Sequence, residues 1–290
     1  MKSLAVESAT HWVRRQGPWR RIFTFLWILA LFWLPIAVSV YWPSGWFYGS
    51  SAAEIVALVL VYVGFLIGLP IWGRRIHKWA KPFQRCGLRF QAQFFRDLGL
   101  ALCIGVLGVF SLFGIETVLG WAQPAAPSPR LARFVLEGLL MALAVGFAEE
   151  MLFRGWVLAE LEQGYATLSA LMMNAAFFAA THFIKPRAEI VRTLPQSLGL
   201  AVLGMALVWA RRSPTGLPGK RLSRLGYPIG LHAGLIWGYY IVNVGGLSEY
   251  TGQAPEWVTG IDRNPLAGLL GVILLGLIGW QFAKTAGAKT

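Results

Sequence analysis

Three ionisable residues stand close together in an apolar run of the sequence, at Glu149, Glu150 and Arg154. Glu150 and Arg154 are four positions apart, so in a helix their side chains meet on one face and can form an ion pair. Glu149 is rotated by about 100° from Glu150 and has no arginine of its own within one turn. A carboxylate in a partly dry site without a paired cation can accept a proton near neutral pH. The spacing therefore predicts a structural role for Glu150 with Arg154 and a chemical role for Glu149.

A histidine follows in the next apolar run. Asn174, Phe178 and His182 are spaced by four residues and lie on one stripe of a helix. If the chain turns near Gly164, Glu149 lies 15 residues before the turn and His182 lies 18 residues after it. At ~1.5 Å per residue, Glu149 and His182 differ in height by only ~4–5 Å. The two residues are therefore predicted to share one water molecule.

A second histidine, His232, stands between Gly230 and Gly234 in a third apolar run. The two glycines form a face of small residues that allows another helix to approach closely. His232 points roughly the other way, on a stripe with Ile236 and Tyr239. One histidine in an apolar helix is more often a hydrogen-bonded core residue. Two histidines together with a Glu-Glu-x-x-x-Arg helix indicate a catalytic site instead.

At these residues the sequence resembles the CAAX prenyl endopeptidase and bacteriocin-processing family of intramembrane proteases, also called the Abi family. The family pattern is a Glu-Glu-x-x-x-Arg helix, a Phe-x-x-x-His helix and a His-x-x-x-Asn (or Asp) helix. Glu149–Arg154 matches the first motif in full, and Phe178–His182 matches the second. The motif region covers about residues 134–244, which we expect to form the catalytic core of a single integral membrane domain spanning residues 1–290.

The third motif is matched only in part. His232 occupies its first position, whereas Ile236 stands where the family has an amide or acid. The resemblance implies that this amide is the second donor to the oxyanion, and loss of one such donor typically costs ~2.7–4 kcal/mol of transition-state stabilisation. Ile236 therefore either limits the activity or is compensated by a substitute donor. Arg154 is preferred, because its guanidinium offers five N–H donors, and Asn174 and Tyr239 are the alternatives.

The resemblance implies proteolysis inside the membrane by a water molecule that a glutamate activates. Glu149 and His182 would bind and deprotonate the water, and His232 would donate to the oxyanion of the tetrahedral intermediate. Arg154 would hold Glu150. No cofactor and no metal ion are implied. The expected partners are the lipid bilayer and a membrane-anchored peptide or protein substrate, not nucleic acid.

Three other hypotheses stay open. In a zinc peptidase of the same fold, Glu149, His182 and His232 would bind the metal, with Glu150 as the base. Against this, the sequence has no His-Glu-x-x-His helix, and Arg154 would place a positive charge near the cation. A protein of the same fold could also bind or escort a membrane partner without cleaving it. An unrelated transporter could use glutamate and histidine to relay protons.

The composition indicates which elements carry these residues. Of the 290 residues, 56% are hydrophobic and 13% are charged, against about 25% charged in an ordinary soluble domain. The net charge of +13 comes from basic residues in short segments between apolar runs, which is typical of membrane loops and argues against nucleic-acid binding. Cys86 and Cys103 suggest neither a disulfide framework nor a thiol metal site. The composition therefore predicts an integral membrane protein.

The predicted fold is all-α, a polytopic membrane bundle of about eight transmembrane helices. Apolar segments long enough, or nearly so, to cross a ~30 Å hydrocarbon core recur along the chain. The first exceeds the ~7–15-residue apolar part of a signal peptide and is predicted to be a retained anchor. The segments are placed at about Ile22–Trp42, Ala53–Trp72, Asp97–Trp121, Phe134–Leu158, Leu168–Ile184, Leu194–Trp209, Tyr227–Val244 and Leu266–Phe282.

Lysine and arginine are distributed unequally between alternate loops. The N-terminal segment, two loops and the C-terminal tail hold 19 of them, and the intervening loops hold six. The positive-inside rule therefore predicts that both termini are cytoplasmic. The loop between the fourth and fifth segments does not fit this pattern, because it carries Glu160 and Glu162 and no basic residue.

Overall fold

The structure is a computed structural model that describes residues 2–41, 51–213 and 224–287. The described chain is nearly all helical, which confirms the predicted class. A few residues named above lie outside the described ranges. They are the predicted end of the first span, Trp42, and three basic residues of the charge count, Lys220, Arg221 and Lys289.

The chain divides into two compact units. The first comprises Met1–Cys86 and Ala159–Tyr165, and the second comprises Gly87–Leu158 and Ala166–Thr290. All five predicted site residues belong to the second unit. That the whole chain acts as a single membrane domain stays a prediction.

The first unit is built from helices. They are α1 (Lys2–Arg14), α2 (Pro18–Tyr41), α3 (Ser51–His77) and α4 (Pro82–Arg85). The α2 and α3 helices pack against each other. The ring of Phe25 contacts Phe65 and Trp72 edge-on, at centroid distances of 6.1 and 5.2 Å. Aromatic packing of this kind joins the two apolar helices.

Glu160 is fully buried within the first unit. Its Oε2 accepts a hydrogen bond from Nε of Arg21 at 3.0 Å. Its Oε1 accepts from Nε1 of Trp72 at 2.8 Å and lies 2.5 Å from Nε2 of His77. These contacts explain the acidic residue in a loop that the charge pattern predicted to be basic, because Glu160 is paired inside the protein instead of facing the membrane surface.

The second unit contains the remaining helices and one pair of short strands. They are α5 (Ala92–Val118), β1 (Ala122–Pro124), α6 (Leu131–Glu150), α8 (Thr167–Thr181), α9 (Arg187–Thr193), α10 (Gln196–Arg212), α11 (Gly226–Asn243), β2 (Ser248–Tyr250), α12 (Glu256–Thr259) and α13 (Leu269–Gly287). Helix α7 (Leu158–Leu161) belongs to this unit by its first residue and to the first unit by its other residues. The α11 helix packs against α5 and α6, and α10 packs against α8 and α13. Short α7 leads from this unit into residues 159–165.

Eight helices of at least 15 residues lie near the eight predicted segments in the described part of the chain. Five of them are long and apolar enough to cross a membrane, and α9 with α10, bent by 74°, would make a sixth if they form one span. The α8 helix has 15 residues, or about 22 Å, which is short of a ~30 Å hydrocarbon core. An integral membrane protein is therefore supported, whereas the count of eight spans is not confirmed.

Two glycines of α11 allow α5 to approach its backbone. A Cβ atom added at Gly230 would overlap the carbonyl oxygen of Leu98, and one added at Gly234 would overlap that of Leu102. The predicted face of small residues is therefore confirmed, and its partner is α5. This close packing places α11, with His232, in the interior of the second unit, where most of its residues are buried.

A π-helix, Met151–Val157, follows α6 directly after Glu150. Six of its seven residues are buried. A π-turn holds one residue more than an α-turn, and such turns within α-helices are rare and frequent at functional sites. The apolar periodicity of the sequence did not predict it.

The strands β1 and β2 are antiparallel, with Ala122 opposite Tyr250. The hydroxyl of Tyr250 donates to Oε2 of Glu116 at 3.0 Å, and it lies 3.2 Å from the carbonyl oxygen of Thr259. Burial, followed by the Glu116 carboxylate, raises the pKa of Tyr250, so the hydroxyl keeps its proton. These contacts anchor the following segment, residues 251–268, which leads to α13.

Candidate active site

Glu150 and Arg154 form the predicted ion pair at the junction of α6 and the π-helix. Nη1 of Arg154 lies 2.8 Å from Oε1 of Glu150, and both side chains are fully buried. Nη2 of Arg154 donates to the carbonyl oxygen of Gly204 at 3.2 Å. The guanidinium therefore links the π-helix to α10, and its positive charge balances the buried Glu150 carboxylate.

His232 lies between the two glutamates. Its Nδ1 is 2.8 Å from Oε1 of Glu150, and its Nε2 is 3.9 Å from Oε2 of Glu149. A carboxylate paired with Arg154 accepts hydrogen bonds, so Nδ1 of His232 carries a proton and donates. Nε2 then accepts a hydrogen bond in the neutral imidazole and donates one only in the doubly protonated form. The distance from Nε2 to Glu149 is too long for a direct hydrogen bond and suits one bridging water.

His182 follows the last residue of α8, at the C-cap. Its Nδ1 lies 2.8 Å from the carbonyl oxygen of Phe178, one turn earlier. A carbonyl can only accept, so Nδ1 is the donor and Nε2 of neutral His182 is an acceptor. The helix end thereby fixes both the tautomer and the orientation of the ring.

A cavity of about 270 Å³ lies beside these residues. Glu149, His182 and His232 all line it. Its volume is sufficient for several water molecules at ~30 Å³ each, or for a short length of peptide. The rest of the wall is mainly apolar, and its other polar members are Gln196, Tyr239 and Asn264.

The region that contains these residues matches a known protein family. Residues 131–247 match the family model described as type II CAAX prenyl endopeptidase Rce1-like. This segment is Rce1-like. The match confirms the resemblance to the CAAX endopeptidases, which are proteases. Comparisons with curated proteins and with solved structures found no match.

The Rce1-like segment contains all five predicted site residues, and they fall into two groups. Glu149, His182 and His232 line the cavity. Glu150 and Arg154 lie behind that wall, fully buried, and Glu150 contacts Nδ1 of His232. Two of the five residues are therefore buried behind the cavity wall, and three are part of the wall.

The expected substitute donors are not well placed. Arg154 lies outside the set of residues that line the cavity, so its position does not support the preference for it. Asn174 is also fully buried, and its Nδ2 donates to the carbonyl oxygen of Phe153 at 2.9 Å. Tyr239 does line the cavity, but its hydroxyl lies 3.4 Å from the carbonyl oxygen of Asp262, to which it donates.

Sequence reasoning missed two polar residues of the cavity wall. Gln196 begins α10, and Asn264 lies in the 251–268 segment, after the last motif. Neither residue belongs to a motif. Gln196 stands at the start of the sixth predicted apolar segment, where polar residues are common, and Asn264 lies outside the predicted segments, so no pattern in the sequence marks either of them as a site residue. Asn264 also lies outside the Rce1-like segment, which ends at residue 247.

A metal ion does not fit this arrangement well. In the ranges that the structure describes, no group of three or more His, Cys, Asp or Glu side chains is arranged to hold a metal ion. The proposed ligands Glu149, His182 and His232 share the cavity, but they lack the convergent geometry that the zinc hypothesis needs.

Proposed function

We propose that this chain is an intramembrane endopeptidase that hydrolyses a peptide bond of a membrane-anchored substrate. The observation that carries the proposal is that Glu149, His182 and His232 line one cavity within the Rce1-like segment. The description of that family makes prenylated CAAX termini the first substrate class to test.

Glu149 is the general base. Its side chain is 31% exposed at the cavity, and its Oε2 has no hydrogen-bond partner in the described residues. A water molecule between Glu149 and Nε2 of His182 can donate one proton to each acceptor. This orients an oxygen lone pair towards the cavity. General-base catalysis of this type contributes about 10²–10⁴-fold to a rate.

His232 is the electrophilic partner. Its Nδ1–H is held by Glu150, so the ring orientation is fixed and Nε2 faces Glu149. In the doubly protonated form, Nε2–H donates to the oxygen that becomes negative. Arg154 pairs with Glu150, and Glu150 in turn holds the His232 ring. Both are positioning residues, because they act through His232.

The reaction balances in two steps. In the first, the water oxygen bonds to the carbonyl carbon, a water proton moves to Glu149, and the C=O electron pair moves to the oxygen. In the second, the C–N bond breaks as the carbonyl re-forms, and the proton on Glu149 is transferred to the leaving nitrogen. The product acid then gives its remaining proton to the amine, so the products are a carboxylate and an ammonium group, and Glu149 is regenerated.

The test uses the purified full chain in detergent, with two kinds of substrate. One is a peptide with a farnesylated CAAX terminus, carrying a fluorophore and a quencher. The other is an extract of membrane proteins, whose new termini are identified by mass spectrometry. The wild type is compared with Glu149→Gln and with Glu137→Gln, a matched change on the same helix at an exposed residue that pairs with Arg133.

We expect cleavage by the wild type and by Glu137→Gln, a loss of about 10²-fold or more in Glu149→Gln, and no effect of a zinc chelator. Loss of cleavage with chelator, restored by zinc, would instead support the metallopeptidase. The absence of any Glu149-dependent terminus from both substrates would contradict proteolysis and favour a protein that binds or escorts a membrane partner.

A further inference from the structure

The oxyanion of this reaction needs more hydrogen-bond donors than the predicted residues provide; this inference rests on the proposed function. Preorganised donors aimed at the developing negative charge are typically the largest electrostatic contribution in acyl transfer. At the cavity wall, Glu149 offers only acceptors, and neutral His182 offers an acceptor at Nε2. His232 supplies one donor. A second must come from another wall residue.

The donors considered from the sequence are engaged elsewhere. Arg154 and Asn174 donate to groups inside the bundle. Tyr239 donates its hydroxyl proton to the carbonyl oxygen of Asp262. Among the residues that line the cavity, two carry side-chain amides, Gln196 and Asn264.

The amide of Asn264 has a fixed orientation. Its Oδ1 accepts a hydrogen bond from the backbone N–H of Leu266 at 3.1 Å. Asn264 thereby caps the short 3₁₀-helix Pro265–Ala267. The acceptor end of the amide is used by the backbone, so the Nδ2 end, with two N–H donors, is left for the cavity that Asn264 lines.

The backbone around Asn264 is also held in place. Gly260 has a φ of 112°, and a Cβ there would overlap the carbonyl oxygen of Asn264. Asp262 and Arg263 both adopt the left-handed region, at φ of 58° and 59°. Residues other than glycine occupy that region uncommonly, and two such residues in succession indicate a backbone that the surrounding structure holds in place. In this segment, Asp262 pairs with Arg192 at 2.5 Å.

Gln196 is the weaker candidate. In the described part of the chain, no side-chain hydrogen bond orients its amide, and its side chain has one more rotatable bond than asparagine. Ordering such a side chain against a substrate costs rotamer entropy. A donor that is already oriented is the better oxyanion ligand, because it does not have to reorganise during the reaction.

We propose that Asn264 is a further catalytic residue, whose Nδ2–H donates to the oxyanion from the wall of the cavity. When water attacks, the C=O electron pair moves to the oxygen, which then accepts from Nε2–H of His232 and from Nδ2–H of Asn264. When the C–N bond breaks, the electron pair returns and both hydrogen bonds weaken. No proton is transferred to or from Asn264.

The test begins with two variants of Asn264, assayed for the fastest Glu149-dependent cleavage of the membrane-protein extract. Asn264→Asp keeps the oxygen that caps the 3₁₀-helix and removes the donor, and Asn264→Ala removes both without adding a charge. We expect both to lower the rate by about 10²–10³-fold, with the melting temperature of Asn264→Asp close to that of the wild type. Gln253→Glu, a matched amide-to-acid change at an exposed position of the same segment, should leave the rate unchanged.

Rescue of the cleavage rate by a new amide elsewhere on the wall would show that Asn264 acts as a donor and not only as a structural residue. Ile236 lines the same cavity one turn after His232, so Ile236→Asn places a new amide on the wall. We expect the double variant Asn264→Ala, Ile236→Asn to cleave at least about tenfold faster than Asn264→Ala alone, because it regains a second donor. In the wild-type background, the same change should raise the rate by a smaller factor than in Asn264→Ala, since one amide donor is already present.

Each other outcome is decisive. Three results would overturn this inference without affecting the proposed peptidase function. They are wild-type rates in both Asn264 variants, a loss of rate in Asn264→Ala that Ile236→Asn does not restore, and a loss of rate in Gln196→Ala but not in the Asn264 variants. A large gain from Ile236→Asn alone would do the same, because it would show that the wild type lacks a second donor. If neither the wild type nor Ile236→Asn makes any Glu149-dependent cut, the proposed function fails and Asn264 loses its role with it.

Discussion

The guanidinium carbon of Arg154 lies 4.1 Å from the centre of the Phe178 ring. The same ring meets the imidazoles of His182 and His232 edge-on, at centroid distances of 4.6 and 6.0 Å. The carbonyl oxygen of Phe178 also receives the hydrogen bond from His182. Phe178 is therefore the common support of the arginine and of both histidines, although its side chain has no chemistry of its own.

We expect Phe178→Leu to weaken the site without removing any polar group. The change loses a buried cation–π contact, which contributes roughly 1–2 kcal/mol, and it leaves the His182 rotamer less confined. Thermal unfolding in detergent should show a lower midpoint, and cleavage should fall. Phe177→Leu, a neighbouring aromatic change on the same helix, should lower the melting midpoint and the cleavage rate less. Equal effects of the two changes would show that Phe178 does not support the site more than its neighbour does.

Arg154→Ala should lower the folded yield as well as the activity. The change leaves the buried Glu150 without its cation, and breaking such a pair costs ~3–5 kcal/mol. The measurement is the yield of monodisperse protein together with its melting temperature. Arg133→Ala removes an arginine of the same i, i+4 spacing from an exposed pair on α6, so it serves as the control and should change neither. A normal yield for Arg154→Ala would contradict the prediction.

His232→Asn should separate folding from chemistry. The asparagine Nδ2 can replace Nδ1 of the imidazole and still donate to Glu150, but nothing replaces Nε2. We therefore expect a melting temperature near that of the wild type and cleavage reduced by about 10²-fold or more. His232→Ala should lower both quantities, because Glu150 then loses a buried hydrogen bond. Wild-type turnover in His232→Asn would exclude the imidazole from the oxyanion site.

Gly230→Ala tests the packing that positions His232. The new methyl group would overlap the carbonyl oxygen of Leu98, a backbone atom that cannot turn away. We expect a loss of ~1–3 kcal/mol or more from overpacking. Gly99→Ala, on α5, adds a methyl group where nothing lies within 4 Å, so it should be neutral or slightly stabilising. The two variants are compared by their melting temperatures, and equal midpoints would show that α5 and α11 can separate at little cost.

The local part of the site could be predicted from the sequence. The spacing of Glu150 and Arg154 fixes their contact, because helical neighbours four residues apart meet whatever the rest of the fold does. The turn near Gly164 and the small face at Gly230 follow from equally local rules. Helix positions were predicted to within a few residues for the same reason.

The non-local part could not be predicted. The hydrogen bond between His232 and Glu150 joins residues 82 positions apart, and no local rule gives the rotation of one helix against another. The π-helix shifts the helical phase immediately after Glu150 without any signal in the apolar pattern. The position of Asn264 depends on left-handed backbone at Asp262 and Arg263. Aspartate adopts that conformation more often than most residues, but neither it nor arginine adopts it often enough to be predicted from the sequence. The number of spans depends on helix length and bending, as α8 and the α9–α10 pair show.

The orientation of the two imidazoles has a consequence for product release. Cleavage leaves a carboxylate where the scissile carbonyl was, close to the re-formed anion of Glu149 and to the lone pair on Nε2 of His182. Like charges at short range repel strongly where water is scarce, so the acid product is pushed out as soon as the proton leaves with the amine. We therefore expect weak product inhibition by the acid fragment. A neutral mimic of the tetrahedral centre, whose hydroxyl can accept from His232 and Asn264, should be held more tightly than a carboxylate analogue of the same length.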